Sequence, residues 1–324
     1  MWDTTWPWLA FLAFVALLLA VDLGIFHRNA HAVGRREALV WSAVWIALAL
    51  AFNAGVYILR GPEVGLEWTT GYLIEKSLSV DNIFIFLLIF SSFAVPAQLQ
   101  HRVLFWGIVG ALVMRGALIA AGAAILDWFH YAIYVFGAFL ILTGLRFLRD
   151  TGHQPDVARH PVVRFARRFL RTSDGYDGQR FFVRRAGVLM MTPLFLVLLL
   201  IETTDLVFAV DSIPAIFAVT DDPFVVFTSN VFAILGLRSL YFVLNGYLNG
   251  FTYLKPALAA ILVFVGSKML LADVYHVPPL ASLGVIAGIL GAAVVASVLK
   301  TRGETGPRSA AAGARGARAA AGEP

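Results

Sequence analysis

Three carboxylates, Glu202, Asp205 and Asp211, lie in the segment ETTDLVFAVDS, within an otherwise almost entirely apolar run from 188 to 219. A second segment, EKSLSVDNI at 75 to 83, places Glu75 and Asp81 in similar surroundings. An ionised carboxylate at the centre of a lipid bilayer costs at least about 2.5 kcal/mol, so it persists only where something compensates it. Acids gathered from two such helices would form a negative site that a cation can fill.

The side chains beside these carboxylates indicate which cation would bind. Carboxylate, amide and hydroxyl oxygens suit hard divalent cations such as Mn²⁺, Mg²⁺ and Ca²⁺. The chain has no cysteine, and its seven histidines lie in predicted loops or at helix ends, which disfavours zinc and copper. The ion would be a substrate, and we expect neither a cofactor nor an enzymatic activity. The further oxygen donors are Asn82, Ser77, Ser79, Thr203, Thr204 and Ser212.

Basic residues inside the apolar segments offer a different explanation for the acids. Lys76, Arg115, Arg238 and Lys268 could pair with them and lock the helices together. Buried ion pairs are weak stabilisers, however, so we favour a cation site over purely structural pairs. In that interpretation Arg115 and Arg238 balance the charge when the site is empty.

The spacing of the acids limits how they can cooperate. Glu202 and Asp205 are three residues apart and share a helix face. Asp205 and Asp211 are six apart, which places them about 120° apart on an ideal helix, and the acids of the first segment have the same spacing. Pro214 cannot donate a helical hydrogen bond, so it favours a kink or break that would turn Asp211 inward.

The composition identifies the elements that must carry these residues. Apolar residues make up 60% of the 324, the mean hydropathy is +0.80, and only 14% are charged, where a soluble domain has roughly a quarter. We therefore predict an all-α polytopic membrane protein. Segments of about 20 apolar residues predict about nine transmembrane helices. They lie near 6–26, 38–59, 70–93, 103–126, 131–148, 188–219, 224–244, 255–271 and 280–299.

The basic residues predict an orientation. The segment 146–185 carries ten arginines against four aspartates, and the end of the chain is also rich in arginine. Positive-inside bias explains this charge better than nucleic-acid binding does, and it places the N-terminus outside and the C-terminus in the cytoplasm. We expect a membrane domain over 1–300, a basic cytoplasmic loop over 149–187 and a disordered basic tail over 301–324. Within the loop, VVRFARRFL either anchors the orientation or lies on the membrane as an amphipathic helix.

An internal repeat relates two parts of the membrane domain, about 70–148 and 188–273. Glu75 aligns with Asp205, and Asp81 with Asp211, if a gap of seven residues follows the acidic segments. Arg115 then corresponds to Arg238, and Gly144 to Gly266. Each unit holds three predicted spans, so a cytoplasmic connection makes the second unit inverted relative to the first. Inverted three-helix repeats with a central site are typical of secondary transporters.

Four segments resemble the TerC/Alx family of integral membrane proteins. They are EKSLSVDNIF at 75–84, ETTDLVFAVDSIPAIFAVT at 202–220, DLGIFHRNAHAVGRREAL at 22–39 and LRSLYF at 237–242. The resemblance implies a bacterial inner-membrane protein related to LysE-type transporters, in a family that includes manganese exporters and is linked by name to tellurium resistance. It also implies a transport site at the positions of both acidic motifs, namely Glu75, Asp81, Asn82, Glu202, Asp205 and Asp211.

We therefore predict a secondary transporter that exports a divalent cation, with Mn²⁺ first among them, by alternating access. Glu75, Asp81, Asp205 and Asp211 are the expected ligands, while Glu202 supports them or carries a coupled proton. Tellurite is an anion that an acidic pocket would repel, so a tellurium phenotype would be indirect. The alternative is a non-transporting membrane scaffold that serves assembly or stress response. The lipid bilayer is the other expected partner, nucleic acid is not expected, and no oligomeric state is predicted.

Overall fold

The computed structural model describes residues 5–21, 34–129, 131–149, 161–169, 171–173, 175–185, 187–244, 253–271, 273–275 and 277–304. These residues form helices and one two-stranded sheet. The elements are α1 (Trp6–Val21), α2 (Arg35–Arg60), α3 (Pro62–Ser92), α4 (Ala97–Trp128), α5 (Ala132–Arg149), α6 (Pro161–Phe169), β1 (Phe182–Arg185), β2 (Val188–Met191), α7 (Pro193–Phe217), α8 (Pro223–Leu235), α9 (Leu237–Leu244), α10 (Leu254–Leu270) and α11 (Pro279–Glu304).

The membrane character predicted from composition is confirmed. Within the described part of the chain, six helical segments are long and apolar enough to cross a bilayer: Arg36–Arg60, Ala97–Trp128, Ala132–Arg149, Pro193–Phe217, Pro223–Leu244 and Pro279–Ser297. Trp6–Val21 and Pro256–Leu270 are shorter apolar helices. Every predicted span overlaps a helix, but α3 carries the polar EKSLSVDN motif, and a total of nine spans stays a prediction.

Before α7, the chain forms a β-hairpin where the sequence predicted the start of a span at residue 188. β1 and β2 pair antiparallel, with Phe182 opposite Met191 and Arg185 opposite Val188. α7 begins only at Pro193, after an extended Thr192. A proline is favourable in the first turn of a helix, where its missing N–H would have no partner in any case. The apolar residues 188–191 therefore belong to the loop structure and not to the membrane helix.

The predicted span 224–244 consists of two helices, α8 and α9, with Gly236 between them. A Cβ at this position would lie 2.6 Å from Nζ of Lys76 and 3.4 Å from Cβ of Trp45. Only glycine fits so close an approach without displacing its neighbours. The predicted disordered tail falls almost wholly outside the described residues, which end with α11 at Glu304.

Helices of the two proposed repeat units pack against one another. α3 packs on α7 and α8, α4 packs on α7 and α8, and α5 packs along α10. α5 and α10 approach each other closely at their glycines. A Cβ on Gly137 would lie 2.9 Å from the carbonyl oxygen of Gly266, and a Cβ on Gly144 would lie 2.8 Å from the carbonyl oxygen of Ala259. Small residues allow membrane helices to approach in this way. The contacts bring the two proposed units together, and both the repeat and its inversion stay predictions.

Candidate functional site

A buried arginine joins the two acidic motifs at the centre of the helical bundle. Arg115 of α4 donates from Nε and Nη2 to the two carboxylate oxygens of Asp205, at 3.0 and 2.8 Å. Its Nη1 also forms an ion pair with Oε1 of Glu75 on α3 and lies 3.4 Å from Oγ of Ser212. The three charged side chains are 1 to 5% exposed. One guanidinium therefore compensates two carboxylates, one from each of the two acidic motifs.

This cluster lies deep in the bundle along the helix axes. Asp205 stands at the midpoint of α7, which runs from Pro193 to Phe217. At about 1.5 Å per residue, it is roughly 18 Å from either end of that helix. Removing either member of a buried pair leaves an uncompensated charge, which typically costs about 3–5 kcal/mol. The acidic segments therefore meet at a depth where their charges require a partner.

On α3, three oxygen atoms near the cluster have no hydrogen-bond partner among the described residues. They are Oε2 of Glu75, Oγ of Ser79 and Oδ1 of Asn82, and their side chains are buried. Positions 75, 79 and 82 lie within about 60° of each other at 100° per residue, so they share one face of α3. Asn82 also donates from Nδ2 to Oδ1 of Asp205, at 3.4 Å. Unsatisfied buried acceptors are rare in proteins, and a cation is one species that satisfies them.

Asp211 does not join the Arg115 ion pair. Its Oδ1 accepts a hydrogen bond from Oγ1 of Thr143 on α5, at 3.3 Å. The break expected near Pro214 does not occur there, because α7 continues through both residues and ends at Phe217. Pro214 lies near the end of α7, where few helical hydrogen bonds remain to be lost. The separation between Asp205 and Asp211 follows from their six-residue spacing.

A small internal cavity nevertheless links Asp211 to the cluster. It offers about 10 Å³ for the centre of a water-sized sphere, roughly the minimum that one water molecule needs. A bare divalent cation also needs little space. The cavity is lined by Glu75, Leu78, Asn82, Arg115, Phe147, Phe208, Asp211 and Ser212.

Glu202 lies one helical turn before Asp205 and packs against α4. Its Oε2 is buried without a hydrogen-bond partner among the described residues. A Cβ on Gly110 would overlap this carboxylate, so Gly110 provides the space that Glu202 occupies. Asp81 lies within α3, about 120° around the helix from Glu75 by its spacing, but its side chain is outside the described residues.

The other predicted counter-charges occupy separate places. Arg238 on α9 is buried and lines a second cavity of about 10 Å³ together with Asp205. Lys76 donates to the carbonyl oxygen of Ala233 on α8, at 3.3 Å. Lys268 lines a polar cavity of about 150 Å³ that also includes Glu67 and Asp221. Among the contacts between described side chains, those of Arg115 reach the motif carboxylates Glu75 and Asp205 directly.

Sequence reasoning did not single out two polar residues near these elements. Thr143, which bonds Asp211, carries a hydroxyl group inside the apolar run 131–148. A polar residue in such a run could have identified it as a candidate site residue. Asn230 on α8 is 1% exposed, and neither its Nδ2 nor its Oδ1 has a partner in the described part of the chain. A side-chain amide inside the apolar run 224–244 could likewise have identified Asn230.

Among the described side chains, no three histidine, aspartate or glutamate residues are arranged so that they could hold one metal ion. Arg115 occupies the space between Glu75 and Asp205, and Asp211 faces Thr143. In this arrangement the charges of Glu75 and Asp205 are compensated by an arginine of the protein itself. It could bind a cation only if Arg115 released at least one carboxylate.

Comparison with known proteins places the chain in a family. The sequence model of the "Integral membrane protein TerC family" matches residues 60–305. An "Uncharacterized membrane protein" of Myxococcus xanthus is 55% identical over 295 residues, which cover 91% of this chain and 92% of the relative. The "Putative membrane-bound redox modulator Alx" of Escherichia coli K12 is 49% identical over 293 residues, with 87% and 91% covered.

A membrane protein of Rickettsia felis is 38% identical over 293 residues, which cover 90% of this chain and 97% of the relative. No solved structure matches the chain. The matched segment contains both acidic motifs, Arg115 and the helices α3 to α10 that carry them. The chain therefore belongs to the TerC family of integral membrane proteins.

Proposed function

We propose that this protein is a secondary transporter that exports Mn²⁺, or another hard divalent cation, across the inner membrane by alternating access. The observation that carries the proposal is the row of buried, unsatisfied oxygens on α3, from Glu75, Ser79 and Asn82. Asn82 bonds Asp205, and Glu75 and Asn82 line the same cavity as Asp211, while Ser79 lies on the same face of α3. An oxygen-rich set of this kind suits Mn²⁺, Mg²⁺ or Ca²⁺.

In this proposal Arg115 keeps the cluster neutral between transport events. It holds Glu75 and Asp205 together while no cation is bound, and it withdraws from at least one of them when a cation enters. The released carboxylate then pairs with the cation instead of the guanidinium, so it is not left without a compensating charge in the apolar interior. A proton carried by one of the acids, with Glu202 as the candidate, would couple the export of the cation to the membrane gradient.

A route to the outer side is supported by the polar cavity of about 150 Å³ at the ends of α7, α10 and α3. Glu67 and Asp221 line it, and both lie on the side that the charge distribution predicts to face outward. Negative residues at an exit would hold cations near the pore. We place the N-terminus outside and the C-terminus in the cytoplasm on the same grounds.

Flux measured in proteoliposomes tests the proposal. Purified wild-type protein should show saturable Mn²⁺ flux, compared against Ca²⁺ and Mg²⁺. We expect this flux to be lost in Asp205→Asn, Asp211→Asn and Asp81→Asn, because each removes a ligand charge. Glu63→Gln is the matched control, since Glu63 is an exposed acid outside the cluster and its replacement should leave flux unchanged.

The competing function is a non-transporting membrane scaffold in which the acids are structural partners. Under that function the wild-type protein would show no metal flux. Asp205→Asn and Asp211→Asn would then only lower the thermal unfolding midpoint. Absence of flux for all three metals, together with unstable variants, would replace the transporter by the scaffold. The name redox modulator belongs to the Alx relatives, and this chain has no cysteine thiol with which to exchange electrons.

A further inference from the structure

The segment between α5 and α7 contains a small packed unit that the proposed transport site does not use. We call it the basic unit, and it comprises α6, residues 171–173, and the hairpin β1–β2. Val163 of α6 is 2% exposed and belongs to the same apolar cluster as Met191 and Leu194. Backbone hydrogen bonds of 2.9 Å join the segment 171–173 to β2, from Ser173 N to Met191 O and from Met191 N to Arg171 O. The unit is therefore a folded element and not an extended linker.

The basic unit is fixed at the boundary of the membrane helices. The ring of Phe182 on β1 lies 4.5 Å from that of Phe195, which stands in the first turn of α7. The hydroxyl of Tyr176, which precedes the hairpin, donates to the carbonyl oxygen of Phe93 at the end of α3, at 2.7 Å. Arg102 in α4 bonds Gln179 at 3.0 Å. The contact with α7 and the contacts that α3 and α4 make with residues 176 and 179, just before the hairpin, thus hold the unit at one end of these three helices.

The outer surface of the basic unit combines apolar and positively charged side chains. Phe165 on α6 is 63% exposed, and on the hairpin Phe182 is 42%, Val188 47% and Leu189 53% exposed. Because side chains alternate along a strand, the register places Phe182 and Leu189 on one face of the hairpin and Val188 on the other. Large exposed apolar side chains that share a face are unusual unless they mark a contact surface. The exposed arginines beside them are Arg164, Arg167, Arg168, Arg171, Arg184 and Arg185.

We propose that the basic unit docks on the adjacent leaflet by binding anionic phospholipids. Its apolar side chains would enter the boundary between headgroups and acyl chains, because the hairpin already lies against the first turn of α7. Its arginines would bind lipid phosphates, for which the planar guanidinium is well suited. An anionic leaflet matches this surface in both charge and position, since basic segments next to membrane helices are attracted to anionic lipids.

Spin labels on single cysteines test this inference directly, because the chain contains no native cysteine. Leu189→Cys would carry a nitroxide, with Leu142→Cys as a lipid-facing reference and Glu63→Cys as an exposed reference. The full chain is reconstituted in vesicles of phosphatidylcholine with or without phosphatidylglycerol. Accessibility of each label is then measured to oxygen, which prefers lipid, and to a water-soluble nickel chelate.

In vesicles that contain phosphatidylglycerol, we expect the label at 189 to have oxygen and nickel accessibilities close to those of the label at 142. Without phosphatidylglycerol, its accessibilities should shift toward those of the label at 63. Replacing Arg167, Arg168 and Arg185 by Gln should produce the same shift, whereas replacing them by Lys should preserve most of the protection. These arginines are exposed, so the variants should keep the thermal unfolding midpoint of the parent.

Two results would overturn the inference. One is a label at 189 that is as accessible to nickel as the label at 63 in the anionic vesicles. The other is a protected label that responds neither to phosphatidylglycerol nor to loss of the arginines, since insertion would then need no anionic lipid. Protection that appears only when a soluble polyanion such as RNA is added would assign the surface to that partner instead.

Discussion

At the scale of single residues, the bonding of Arg115 gives the acidic motifs a common centre. The guanidinium bonds both carboxylate oxygens of Asp205 and also pairs with Glu75. A bidentate pair uses the fixed fork of the guanidinium, which lysine cannot reproduce. Two of the unsatisfied oxygens on α3, from Glu75 and Asn82, belong to side chains that line a cavity together with Arg115. The ligand role that we propose for these oxygens can therefore be tested by mutations that leave Arg115 in place.

Two serines on α3 provide a matched test of ligand supply. Ser77 and Ser79 are both buried, but Ser77 donates to the carbonyl oxygen of Leu73 while Ser79 Oγ has no partner among the described residues. If Ser79 binds the cation, Ser79→Ala should raise the apparent KM of Mn²⁺ flux by roughly tenfold, which corresponds to about 1.4 kcal/mol. The same change should leave thermal stability equal or higher, because an unsatisfied buried polar group costs about 1–3 kcal/mol.

Flux kinetics and thermal unfolding of both alanine variants supply the comparison. Ser77→Ala should leave the KM near that of the parent chain, since its hydroxyl is engaged within α3. Equal effects of the two substitutions on KM would exclude a ligand role specific to Ser79.

At the scale of elements, the close contact of α5 and α10 depends on glycine. A Cβ on Gly266 would lie 2.6 Å from the carbonyl oxygen of Gly137 and 3.0 Å from the backbone N of Ile141. Both neighbours are backbone atoms that cannot rotate away. Gly144 on α5 and Gly266 on α10, which the predicted repeat aligns, both lie in the contact between these two helices.

Gly266→Ala should destabilise the protein by about 1–3 kcal/mol, the usual cost of forcing extra atoms into a packed contact. The thermal unfolding midpoint in detergent measures this change. Gly284→Ala on α11 is the control, because nothing lies within 4 Å of a Cβ there. Helix propensity alone should make that control neutral or more stable by up to about 1 kcal/mol. A Gly266→Ala variant as stable as the control would mean that α5 and α10 can separate without cost.

At the scale of the whole molecule, a cation that binds between α3 and α7 would hold these two helices together. Such binding should stabilise the folded protein by about 2.7 kcal/mol at a free concentration of 100 times the Kd. We therefore expect Mn²⁺ to raise the thermal unfolding midpoint, and a chelator to reverse the rise. Asp205→Asn should abolish the rise. Glu63→Gln should retain it, since Glu63 lies at the exposed start of α3. A rise of the same size in Asp205→Asn would place the bound metal elsewhere.

Much of the architecture was readable from the sequence because an apolar bilayer allows few solutions. Helices must satisfy their own backbone hydrogen bonds in lipid, so long apolar runs predict membrane helices without knowledge of their neighbours. The hairpin at 182–191 was missed because Val188 to Met191 are as apolar as the helix that follows them. Local composition cannot distinguish a strand that packs on a helix end from one more helical turn. At Pro214 the chain does not break, because α7 continues to Phe217, while the kink that the sequence also allows there stays a prediction.

The sequence by itself determined the membrane class, the two acidic motifs and the family resemblance, because these depend on residue type and local spacing. It also indicated that Asp205 and Asp211 point in different directions, which helix geometry imposes on a six-residue spacing. Only the tertiary structure decided that, among the described side chains, Arg115 bonds Glu75 and Asp205 while Lys76 and Lys268 make other contacts. That choice depends on which helices pack together. A charge in an apolar interior is compensated by whichever group the packing brings within bonding distance, and sequence separation does not reveal it.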